Sequence, residues 1–216
     1  MKYKLLEDET KTHNGVTLYR IQSLKDFSDV TSGDKGGWIE KESNLSHEGN
    51  AWIYDNAKVS GDAEVYESAQ IRGNAKVYDN AKIYDNAKVY GNAKIYNDAE
   101  VYNDAEVYND AIVFGNAWVS GNAKVCGDAM VYDYAKVFGS AWIYGDAKVC
   151  GAAMVYDYAK VYNNARVFGD AKVYGNAEVN GDSKIYEYAK VGGHAKIPGK
   201  VEVFGDTIFE GFTEVL

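Results

Sequence analysis

The side chains best suited to chemistry are few in this chain: three histidines, His13, His47 and His194, and two cysteines, Cys126 and Cys150. One histidine near a substrate can act as a general base. Three that converge can hold zinc, and a thiolate beside a base is a nucleophile. The spacing favours none of these. His13 lies in an N-terminal segment of different character from the rest, His47 near the start of a repeat array, and His194 at a late turn after Gly193. The two cysteines are 24 residues apart with no base in view, and they are expected as free thiols. No catalytic residue, metal site or cofactor is assigned from the sequence. Tyrosine is abundant instead, with 19 copies at regular intervals, and lysine commonly stands two residues before it.

The elements that carry those pairs repeat every six residues. The stretch from Asn74 to Tyr108, "NAKVYDNAKIYDNAKVYGNAKIYNDAEVYNDAEVY", gives the unit A-K-V-Y-G-N. From Ala51 to Ala195 the alanine slot never slips, and Ser183 is its sole substitution. Within A-K-V-Y the alternation has period two, which places Ala and Val on one side of a strand and Lys and Tyr on the other. The remaining pair is mostly Gly, Asn or Asp, residues that tolerate positive φ and form tight turns. Each hexad therefore reads as a short strand and a corner. Such units are too short for hairpins and are expected to coil, three hexads and 18 residues to a turn. The expected fold is all-β, a parallel β-helix of about nine coils with a small N-terminal β cap. Residues 1–44 form the cap and 45–216 the solenoid, with a C-terminal cap from about residue 198.

The hexad resembles that of the left-handed β-helix, or hexapeptide-repeat, superfamily, [LIV]-[GAED]-x-x-[STAV]-x. Here "VYGNAK" supplies the aliphatic residue and the alanine, but puts tyrosine at the second place. The left hand is implied by this resemblance; general crossover rules favour the right. Many members of the superfamily are acyltransferases that use a histidine base at a trimer cleft, often with a loop thrown out of a coil. No loop interrupts this array, and no such role is carried onto its histidines. A narrower resemblance, through "GVTLYRIQSLKDF" and "GDKGGWIEKESNLSHEGNAWIY", is to phage and prophage hexapeptide-repeat proteins.

The 18-residue period sorts the outward residues into three faces, named here by Tyr54, Tyr66 and Ser60. On the Ser60 face the tyrosine slot reads Ser60, Tyr78, Tyr96, Phe114, Tyr132, Cys150, Phe168, Tyr186, Phe204. Its lysine slot reads Lys58, Lys76, Lys94, Ile112, Met130, Lys148, Arg166, Lys184, Glu202. An aromatic column thus runs beside a basic one, with an apolar centre at Ile112, Phe114, Met130 and Tyr132. Contiguous apolar surface marks interfaces. The candidate interface is Tyr78, Tyr96, Ile112, Phe114, Met130, Tyr132, Phe168 and Tyr186, with Lys76, Lys94, Lys148 and Arg166. Its expected partner is a protein or a second copy of the chain, as in a trimer.

The functional expectation is a non-enzymatic binding or scaffold protein of phage or prophage type, acting on a host or phage protein, such as a defence factor, in the bacterial cytoplasm. The alternatives are an acyltransferase-like trimer, and an acidic nucleic-acid mimic or single-strand binder. A formal net charge of −9 opposes nucleic-acid binding. No apolar run is long enough to span a bilayer, and the N-terminus lacks the apolar core of a signal peptide. One further regularity concerns growth of the array. "KVCGDAMVYDYAKV" begins at Lys124 and "KVCGAAMVYDYAKV" at Lys148, a block of four hexads that returns rotated onto the next face.

Overall fold

The computed structural model describes residues 1–211. From Trp52 onward every hexad contributes one two-residue strand, from Trp52–Ile53 to Ile208–Phe209. Each strand pairs in parallel with the strand 18 residues away, as Lys88 and Val89 do with Glu106 and Val107. The strands assemble into three sheets, one per face, of twelve, nine and nine strands. The chain is a parallel β-solenoid of the coil length and number read from the sequence.

The interior consists of the alanine and aliphatic columns, and the middle coils are fully closed there, as at Ala93, Ile95, Val113 and Ala147. Burying each Val or Ile contributes about 1.5–3 kcal/mol before entropy. The corners explain the Gly, Asn and Asp of the hexad. The first corner residue takes positive φ in coil after coil, for instance Asp79 at 60°, Asn97 at 55° and Gly115 at 71°. Amide ladders then join successive corners, with Asn80 Nδ2 donating to Asp98 Oδ1 at 3.0 Å.

The N-terminal segment closes the first coil. Strands β1 (Tyr3–His13) and β2 (Val16–Ser23) form an antiparallel hairpin, and β3 (Lys35–Ile39) extends it. The hairpin turn is Asn14-Gly15, with φ of 51° and 79°, the twist-matched two-residue turn. β3 pairs with the first strand of the Ser60 face, Trp38 opposite Lys58, so hairpin and face are one twelve-stranded sheet. Gly36 and Gly37 allow β3 to lie against the coil; a Cβ on Gly37 would stand 2.4 Å from Ile53 Cγ2 and 2.7 Å from Ala57 O.

The pairing of Leu45 with Val65 spans 20 residues, so the first coil carries two extra residues. His47 stacks on Tyr3 at 4.3 Å and accepts the Lys2 N–H at Nδ1, at 3.2 Å. Lys2 is buried, and its ammonium donates to Ala51 O at 2.8 Å; burial brings its pKa down to about 8. At the other end Val201 is half-buried and Thr207 exposed in the alanine slot, while Thr213 lies outside the described residues. Among the described residues, no helix is long and apolar enough to cross a membrane.

Candidate functional site

The hairpin is longer than the strand it joins, and its tip reaches over the Ser60 face. A cleft of about 520 Å³ lies between them. His13, Asn14 and Val16 form its roof, Lys58, Lys76 and Lys94 its floor, and Ser60, Tyr78, Glu40 and Asp79 its sides. The three lysines are in register on adjacent strands, Lys58 opposite Lys76 and Lys76 opposite Lys94. Their spacing is therefore one strand repeat, roughly 4.8 Å. Like charges directly opposite one another in a sheet are unfavourable.

Among the described residues none of the three lysines is in an ion pair; those found elsewhere include Lys41 with Asp62 and Arg72 with Asp29. The two carboxylates of the cleft are engaged with amides. Glu40 Oε2 accepts the Gly61 N–H at 2.6 Å, and Asp79 Oδ2 accepts from the Asn97 backbone and side chain at 3.2 and 3.1 Å. Desolvation, then Lys58 and Lys94, lower the pKa of Lys76. Lys11, two residues before His13 on β1, has its ammonium 3.9 Å from the Trp38 ring centre, and burial with Lys58 and Arg20 lowers its pKa to about 8. Desolvation and the charges of Lys58, Lys76 and Lys11 hold His13 below its ordinary value. The shift favours the uncharged imidazole, beside a line of lysines in an acidic protein.

All twelve residues of the sequence-derived interface line this one face, six within its strands and the six rings directly after them. The ring column is a true stack. Tyr78, Tyr96, Phe114 and Tyr132 follow one another at centroid distances of 4.9, 5.0 and 4.9 Å, with planes within 5°. Each inner ring has both faces covered by its neighbours, and Ile112 lies opposite Met130. The apolar centre is consequently half-buried. It presents ring edges, and its inner rings leave no free face on which a nucleic-acid base could stack.

The stack breaks at Cys150 and resumes with Phe168 and Tyr186 at 5.0 Å. Beyond the break lies a second basic triplet, Lys148, Arg166 and Lys184, in an open groove of about 680 Å³. Asp128, Asp146 and Asp182 line that groove, and Lys184 pairs with Glu202 at 2.6 Å.

The cysteines lie on different sheets and are free. Cys126 is covered by Trp142, whose indole N–H points at the sulfur at 3.3 Å. Burial raises the pKa of Cys150, away from the thiolate form that a nucleophile needs. Among the described residues no group of three His, Cys, Asp or Glu could hold a metal ion. Sequence reasoning placed His13 in the cap and Lys58 in the basic column but did not bring them together. The "HNG" turn was the available signal, since it fixes where the hairpin ends, although not where its tip points.

No family model matches the chain. Over 61 residues it is 44% identical to a protein of Escherichia coli (strain K12) named uncharacterized acetyltransferase YdcK. The match covers 25% of this chain and 19% of that protein, so the chain spans about a fifth of the length of its curated relative. Its fold is that of the hexapeptide-repeat proteins, a left-handed β-helix. The expectation of a non-enzymatic protein is corrected by this likeness, because the relative is named for an enzymatic activity. The uninterrupted array had suggested that no site was available. The cleft that holds His13 is built between the cap and the first repeats.

Proposed function

We propose that this protein is an acyltransferase of the hexapeptide-repeat type and that its site is the cleft beneath the hairpin tip. In this reading an acceptor hydroxyl or amine attacks the carbonyl of a thioester donor such as acetyl-CoA. His13 takes the proton of the attacking group as the bond to carbon forms. The carbon–sulfur bond then breaks, and the proton passes from His13 to the leaving thiolate. The ammonium groups of Lys58 and Lys76 favour the negative charge that develops on the carbonyl oxygen. The observation that carries the reading is the likeness to an acetyltransferase, and a histidine of lowered pKa over a line of lysines supports it. The enzyme is proposed to work as a homo-oligomer, a trimer on the superfamily pattern, with a neighbouring copy closing the solvent side of the cleft.

Acetyl-CoA should raise the melting temperature of the protein saturably and acetylate amine or hydroxyl acceptors. Neither a shift nor turnover at millimolar donor would sink the proposal. A second reading concerns the apolar centre of the same face as a docking surface for a protein partner, in a phage or prophage setting within the bacterial cytoplasm. The contiguity of Ile112, Met130, Phe114 and Tyr132 favours it. Phe114→Glu with Tyr132→Glu should then change the oligomeric size or abolish partner capture; if both are unchanged, that surface is no interface.

A further inference from the structure

We infer that the Lys58–Lys76–Lys94 ladder is a binding site for a ligand carrying two or more linked phosphate groups, laid along the solenoid axis. The inference rests on charge and shape, and it holds whether or not the cleft transfers acyl groups. Three observations support it. The protein is acidic, with 32 Asp and Glu against 23 Lys and Arg, yet three lysines are held opposite one another here with no ion pair among the described residues, the two carboxylates of the cleft, Glu40 and Asp79, being bonded to amides. The corner residues that precede them, Asn56, Asn74 and Asn92, are neutral amides, and Asn74 Nδ2 donates to Asn92 Oδ1 at 3.3 Å. The ladder is also roofed: His13, Asn14 and Val16 turn what would be flat surface into a cleft of about 520 Å³, the size of small-ligand sites.

The line of lysines bears on the ligand's charge. Ammonium groups act as point charges that bind phosphate without needing the planar fork geometry of arginine. A line of three such charges, spanning roughly 10 Å, matches a chain of phosphates better than one compact anion. A free polyphosphate, a nucleotide or the phosphate end of a larger molecule could supply that chemistry. Aspartates in the corresponding corner positions, Asp146 and Asp182, weaken the same case for the second triplet, which has no roof.

The test is calorimetric titration of the full chain at low salt with tripolyphosphate, ATP and AMP, using wild type, Lys76→Gln and Lys148→Gln. Tripolyphosphate should bind saturably at one site per chain. Lys76→Gln should weaken it about tenfold, and Lys148→Gln by less than about twofold. Equal affinity for ATP and tripolyphosphate would mean that the phosphate chain suffices; tighter ATP binding would mean that a nucleoside also contacts the cleft. AMP should bind at least about tenfold more weakly than either. Absence of saturable binding at millimolar tripolyphosphate and ATP, or equal losses in the two variants, would overturn the site. Thermal melts of both variants check that they are folded. Failure of acetyl-CoA turnover leaves this result untouched, and turnover without tripolyphosphate binding would overturn the ladder alone.

Discussion

Two basic triplets stand on the same face, in the same column, with the same interior beneath them. Lys58, Lys76 and Lys94 lie before the apolar centre; Lys148, Arg166 and Lys184 lie after it. They differ in three surroundings. The first is preceded at each corner by asparagine, the second by Asp146, Asn164 and Asp182. The first is covered by the hairpin tip, while the second is open to solvent. The first has no ion pair among the described residues, whereas Lys184 of the second is paired with Glu202. A run of cations in the repeat therefore does not define a site. The corner residues and the cap decide whether the charge is spent locally or left for a ligand.

The largest expected effect comes from the roof. His13→Ala should lower kcat/KM for acyl transfer about 10²–10⁴-fold, whereas Lys148→Gln should leave it nearly unchanged. The pH profile is a sharper measure. Because desolvation, and after it the charges of Lys58, Lys76 and Lys11, depress the His13 pKa, activity should rise with pH through an inflection below the ordinary histidine value. Lys76→Gln removes one of those cations and should move the inflection upward.

The interior should not distinguish the two regions. Ala93→Leu under the first triplet and Ala165→Leu under the second overpack equivalent, fully buried slots. Each should cost about 1–3 kcal/mol in denaturant unfolding. A large difference between them would mean that the coils are less alike than their outlines.

Corner charge should be exchangeable in part. Asn74→Asp with Asn92→Asp should weaken tripolyphosphate binding by about tenfold, since each carboxylate stands beside a ladder lysine. Asp146→Asn with Asp182→Asn should create only weak binding at the second triplet, which lacks a roof. If the gain there equals the loss at the first, the hairpin contributes nothing. The smallest effect is on stability: Lys76→Gln without ligand should raise it by about 0.2–1 kcal/mol through relief of like-charge contacts, seen as a higher melting temperature.

The solenoid was legible because alanine and valine hold one phase from Ala51 onward, and the interior contacts of the repeats follow from that phase. Column membership followed too: Phe114 beside Tyr132 and Lys76 beside Lys94 are consequences of 18-residue arithmetic. The degree of exposure was not legible. The rings cover one another at about 4.9 Å, so an apolar centre expected to be open is half-buried. The cleft was illegible for a different reason. It depends on the direction in which a long hairpin curls after pairing through β3, and the Trp38–Lys58 register spans 20 residues, outside the period. The placement of His13 above Lys58 and Lys76 is a long-range contact that no repeat encodes.

The hexad also sets how such a molecule can change length. A gain or loss of one hexad by a copying slip preserves the interior columns, yet it turns everything downstream by a third of a coil. Only slips of three hexads leave every face intact. The four-hexad block that recurs at Lys148 has a spacing of the other kind, and its cysteine stands on the next face. The cleft involves residues 13–94 alone. The rod can therefore lengthen, shorten or reshuffle its faces beyond Phe114 while the cleft at its N-terminal end stays in place.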